Sequence, residues 1–147
     1  MFGSIVVGTD GSDTANEAVR QAVELAGSVG AELLLVSAYA PMTRVNVNPE
    51  TAQMPADVQW MVSAREDVAS ILAEAARAAE EAGVSVQTFP RQGDPADAIL
   101  DVAEERDADL IVVGNKGMTG AKRFLLGSVP NRVSHHAPCS VLIIRTT

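Results

Sequence analysis

The chain reads as an α/β domain: five strands alternating with four helices, forming a parallel sheet with helices on both faces. Two observations carry that reading. The runs Leu33-Leu34-Leu35-Val36 and Leu110-Ile111-Val112-Val113 are uninterrupted apolar tetrads, the signature of strands covered on both sides. Between the strand candidates the apolar residues fall at helical spacing, and no segment repeats another. A length of 147 residues suits one domain, residues 1–147, with a core of its own.

Ile5-Val6-Val7 is a short β-branched run that ends at Gly8-Thr9-Asp10-Gly11-Ser12, a cluster of turn and N-cap residues. Ala15, Val19, Ala22, Val23 and Ala26 then recur at helical intervals, and Gly30 supplies the stop. After the Leu33–Val36 strand, periodicity disappears from Ala40 to about Asp57, where Pro41, Pro49, Pro55, Asn46 and Asn48 break any regular element. Loops of that length are functional or mobile more often than short ones, so the segment is a candidate lid. Val68, Ile71, Leu72, Ala75, Ala79 and Ala82 mark a second helix that closes at Gly83. The third strand is expected over Val84–Phe89. Asp94-Pro95 provides an N-cap followed by an N1 proline, with Ala98, Ile99, Val102 and Ala103 as the inner stripe of the third helix. Leu110–Val113 is the fourth strand, Val129–His136 a short helix ended by Pro138, and Val141-Leu142-Ile143-Ile144 the last strand.

Composition removes several classes of function. A net charge of −8 argues against nucleic-acid or anionic-membrane surfaces, which need an excess of Lys and Arg. Cys139 is the only cysteine, so neither an intrachain disulfide nor a cysteine metal cluster can form. It reads as a small buried filler. Adjacent His135 and His136 point about 100° apart on a helix and are expected at the surface. The N-terminal run lacks a basic n-region and no stretch approaches the ~18 apolar residues of a membrane span. A cytoplasmic location is expected.

In a parallel α/β sheet, ligands bind at the carboxyl ends of the strands where strand order reverses. Both glycine-bearing turns, after the first and fourth strands, belong to that edge. Gly114-Asn115-Lys116-Gly117 leaves the fourth strand, and Gly127-Ser128 follow Gly117 after nine intervening residues. Glycines let backbone amides approach an anion, and Ser128 adds a hydroxyl at a helix start. Lys116, Lys122 and Arg123 offset the acidity locally. Neither a Gly-x-x-x-x-Gly-Lys-Ser/Thr run nor a Gly-x-Gly-x-x-Gly after the first strand occurs, which weakens Walker-type and dinucleotide readings. No serine has a context that suggests a catalytic triad.

On these residues the chain resembles the universal stress protein family. The Gly-x2-Gly-x9-Gly-Ser spacing of its ATP-binding branch is met by Gly114, Gly117, Gly127 and Ser128. The opening Ile5–Ser12 and the closing Ala137-Pro138-Cys139-Ser140-Val141-Leu142-Ile143-Ile144 are similar as well, so the resemblance spans the chain. It implies a flavodoxin-like (Rossmann-like) sheet of order 3-2-1-4-5, an ATP site, a stress-response role and a homodimer through the last strand. By the same resemblance Gly8, Thr9, Ala38 and Val113 border the nucleoside, Lys116 and the amide of Val129 join the phosphate site, and Asp10 lies near ribose and Mg²⁺. Asp10 and Ser12 as plain caps of the first helix are the alternative. One position departs from the pattern: after Gly127-Ser128-Val129 stands Pro130, which has neither hydroxyl nor amide hydrogen for a metal or phosphate.

The expected function is therefore regulatory binding of an adenine nucleotide without catalysis. ATP is the first ligand, with AMP or cyclic AMP as alternatives and Mg²⁺ as a companion ion. A weak ATPase or autophosphorylating enzyme, and a dimer that binds nothing, are the competing readings.

Overall fold

Buried β-branched and leucine runs form the three central strands, β2, β1 and β4, of a five-stranded parallel sheet whose order is β3-β2-β1-β4-β5. The computed structural model describes residues 2–39, 54–115 and 128–146, with the backbone alone for residues 54–62. In chain order the elements are β1 (Ser4–Gly8), α1 (Asp13–Val29), β2 (Glu32–Tyr39), α2 (Met54–Glu81), β3 (Val86–Gln92), α3 (Pro95–Glu105), β4 (Leu110–Gly114), α4 (Ser128–His136) and β5 (Ser140–Ile144). The expected α/β class and strand order are both present.

Side chains alternate across each strand, so one strand feeds two cores. Ile5, Val7, Leu33, Leu35, Leu110 and Val112 pack against α1 and α2 through Val19, Ala22, Ala26, Val68, Leu72 and Ala79. Val6, Leu34, Val36, Ile111 and Val113 face α3 and α4 and meet Ile99, Val102 and Val133. Truncating a side chain such as Leu34, which has no exposed surface, costs about 2–5 kcal/mol.

Local signals end the helices where the sequence places their stops and starts. Ser12 caps α1, its hydroxyl accepting from the amide of Ala15 at 3.3 Å, and Gly30 closes it at φ 72°, where a Cβ is unfavourable. Asp94 caps α3 by accepting from the amide of Asp97 at 3.0 Å, with Pro95 at the first helical position.

Two boundaries differ from expectation. The third strand begins at Val86, not Val84, and runs on through Pro90 to Gln92. Proline suits this strand because β3 is a sheet edge and needs donors on one side only. The aperiodic segment after Ala40 ends sooner than Asp57, because α2 starts at Met54. Pro55 falls in its first turn, where a missing amide hydrogen loses no helical bond. The rest of the candidate lid, residues 40–53, lies outside the described residues.

Among the described residues no helix is long and apolar enough to cross a membrane.

Candidate functional site at the carboxyl edge of the sheet

Strand order reverses between β1 and β4, since β1 pairs with β2 on one side and β4 on the other. At such a point the two connections leave in opposite directions and open a crevice at the carboxyl ends. The crevice here is an open cleft between the ends of β1 and β4 and the first turns of α1 and α4. Four of the residues named from the sequence, Gly8, Val113, Gly114 and Val129, line it; Thr14, Ala15, Ala18, Ile99, Pro130 and Thr146 complete the walls. The amino-terminal turns of α1 and α4 both border it, and each carries partial positive charge.

Eight of the eleven expected site residues fall among the described ones. Gly8 ends β1 against α3: a Cβ there would stand 2.5 Å from Ile99 Cδ1. Thr9 is fully buried; its amide donates to the carbonyl of Val36 at 2.9 Å, and its Oγ1 accepts from the amide of Gly11 at 3.1 Å. Asp10 is half-buried, with Oδ1 accepting from the amide of Ser12 at 2.9 Å. That bond makes Asp10 a turn-former just before the Ser12 cap. Gly11 takes φ 81° and sits under Ile71 of α2, so the loop after β1 is braced from two helices.

Ala38, near the end of β2, is half-buried and packs at the margin of the α3-side core. Val113 is 4% exposed and belongs to the same core. Ser128 opens α4 and is exposed, and Val129 behind it is half-buried. Lys116, Gly117 and Gly127, with Lys122 and Arg123, lie outside the described residues.

Arg132, one turn into α4, reaches Asp97 Oδ1 at 2.7 Å and Asp94 Oδ2 at 3.7 Å. This pair of contacts ties α4 to the amino end of α3. Both partners are about half exposed, so the energy is small and the effect is chiefly orientation. A metal has less to hold it. Among the described residues no group of three or more His, Cys, Asp or Glu is placed to bind one. Pro130 is buried in the cleft wall and adds no donor.

Cys139 lies away from the cleft, at the amino end of β5, half-buried and packed at the edge of the α3-side core. Burial, helped by the negative charge of Asp109, pushes its thiol up from the usual range. His135 and His136 are exposed, as expected.

One cleft residue, Thr146, has no counterpart in the sequence reading, and its partner is Asn115 just beyond β4. The amide of Asn115 donates to the carbonyl of Ile144 at 2.8 Å, while its Oδ1 accepts from the amide of Thr146 at 2.8 Å and from Thr146 Oγ1 at 3.0 Å. Thr146 is thereby pinned over Gly114, whose absent Cβ would stand 3.3 Å from Thr146 Cγ2. Asn115 was visible as part of the glycine motif, but nothing in the sequence brings residue 146 to it.

A five-stranded parallel sheet of this order with helices on both faces defines a flavodoxin-like α/β domain by architecture. The chain matches the universal stress protein family over residues 1–145, and it belongs to that family. It is 40% identical to universal stress protein Rv1636 of Mycobacterium tuberculosis over 147 residues, covering 99% of this chain and 98% of that protein. A crystal structure of a universal stress protein in complex with cAMP is similar with a TM-score of 0.73 and 34% identity, covering 99% of this chain and 98% of that one. The universal stress protein from Archaeoglobus fulgidus in complex with dAMP is similar with a TM-score of 0.67 and 26% identity, over 98% of both chains.

Proposed function

We propose that the protein binds an adenine nucleotide in the β1/β4 cleft and acts through occupancy of that site, not through turnover. The observation that carries this is the convergence of two helix amino ends, α1 and α4, on one cleft with apolar walls. The relatives crystallised with cAMP and dAMP support it. In this reading Thr9, Ala38 and Val113 flank the adenosine and Asp10 lies toward ribose. Gly8 and Gly114 keep the strand ends open, and Ser128 and Val129 receive phosphate together with Lys116, Gly117 and Gly127.

The match to Gly-x2-Gly-x9-Gly-Ser supports ATP as the ligand. A second reading, cyclic AMP, rests on Pro130: a buried proline in the wall offers nothing to a cation on a triphosphate. Binding without catalysis is favoured because the described residues lining the cleft include no His, Asp, Glu or Lys to serve as general base, and such a site holds its ligand better than it cleaves it. We further propose a homodimer through β5, whose Leu142 and Ile143 are 40% and 37% exposed at the sheet edge.

Mass spectrometry of ligands released from purified protein, followed by calorimetric titration with ATP, ADP, AMP and cyclic AMP with and without Mg²⁺, tests the ligand. Saturable one-site binding of at least one of them is expected. Heat-silent titrations with all four, together with no released nucleotide, would overturn the proposal.

A further inference from the structure

The Asn115–Thr146 contact gives one wall of the cleft a fixed hydrogen-bonding sense. A backbone amide can only donate, so the Asn115 atom facing the amide of Thr146 at 2.8 Å is the carbonyl oxygen. That same oxygen lies 3.0 Å from Thr146 Oγ1, and between two oxygens only the threonine has a hydrogen to give. Thr146 therefore spends both its amide and hydroxyl hydrogens on Asn115. What its Oγ1 has left is lone pairs.

Position makes this matter. Thr146 lines the cleft together with Val129 and Pro130 of α4, is half-buried, and is seated over Gly114, where a Cβ would stand 3.3 Å from its methyl carbon. An acceptor-only oxygen in a partly dry wall attracts a hydroxyl or amino group and repels a phosphate oxygen, which has no hydrogen to offer. Donors for an anion lie instead at the amino end of α4.

We propose that Thr146, positioned by Asn115, is a ligand-selecting residue that accepts a hydrogen bond from the nucleoside part of the ligand and so orients the phosphate toward Ser128. This rests on the nucleotide reading above. The donor is a ribose hydroxyl or the adenine amino group, two sources of the same chemistry.

Calorimetry with AMP, 2′-deoxy-AMP, 3′-deoxy-AMP and purine riboside monophosphate, which lacks the amino group, separates them when run on wild type, Thr146→Val and Thr146→Ser. Thr146→Val keeps the shape and removes the oxygen; its AMP affinity is expected to fall about tenfold. Thr146→Ser keeps the oxygen and is expected to stay within about threefold of wild type. In wild type the analogue missing the relevant donor should lose the same factor as Thr146→Val, and in Thr146→Val it should lose nothing more. Equal affinity of Thr146→Val and wild type for AMP, or losses that simply add for every analogue, would overturn the proposal and leave nucleotide binding standing. Wild type that binds none of the four compounds would overturn both.

Discussion

At the residue scale, Gly8 shows how a position chosen for one reason can serve another. A strand-end glycine in a ligand turn invites the explanation that backbone must approach a phosphate, yet the space its Cβ would fill holds Ile99. Gly8→Ala should therefore destabilise the fold by about 1–3 kcal/mol through overpacking. Ile99→Val removes the Cδ1 atom in the way, so the double variant should recover part of that loss in urea unfolding. Additive losses would mean that Gly8 and Ile99 are not coupled through this contact. Thr9 and Asp10 carry a similar double meaning, because their side chains already brace the turn.

At the element scale, β5 joins chemistry at one end to packing at the other. Its amino end begins beside Cys139, whose thiol is held above its usual range by burial and by Asp109. An unfolded thiol ionises near about pH 8.5, while the folded one keeps its proton to higher pH. The stabilising contribution is thus complete below the unfolded value and is lost as pH rises through the folded value. Wild type should lose more stability than Cys139→Ala between about pH 7.5 and 9.5, measured by urea midpoints. Parallel declines in the two proteins would contradict this. The carboxyl end of β5 leads into Thr146, so the strand that forms the proposed dimer edge also supplies a wall of the cleft.

For the whole molecule, the two edges of the sheet are treated differently. β3 carries Pro90, and its Phe89 is flanked by the Arg91 and Arg106 guanidinium groups at 5.8 and 5.4 Å, features that discourage further strand pairing. β5 presents Leu142 and Ile143 instead. Sedimentation equilibrium at micromolar concentration should find a dimer, and Leu142→Lys should shift it to monomer; a wild-type monomer would refute the interface. A ligand bound only by the folded state, at a hundred times its Kd, should add about 2.7 kcal/mol of stability. For a chain of this size that is a rise of roughly 5–10 °C in Tm. No shift with AMP, ATP or cyclic AMP would count against the site.

Element type and order were legible because their causes are local. Apolar period, the Ser12 and Asp94 caps and the Gly30 stop act within a few residues, and the apolar tetrads alone identify strands buried on both faces. The glycine spacing was enough to point to the family. Where β3 would end was not legible, since Pro90 is tolerated only because that strand lies at an edge. Nor was the match of Gly8 to Ile99, or of Asn115 to Thr146, which are 31 residues apart. The sequence by itself determined the alternation of strands and helices and the fold class. Only the tertiary structure decided which side chains share the cleft and which hydrogens remain to offer, because hydrogen bonds and close packing depend on distances between residues that no local pattern encodes.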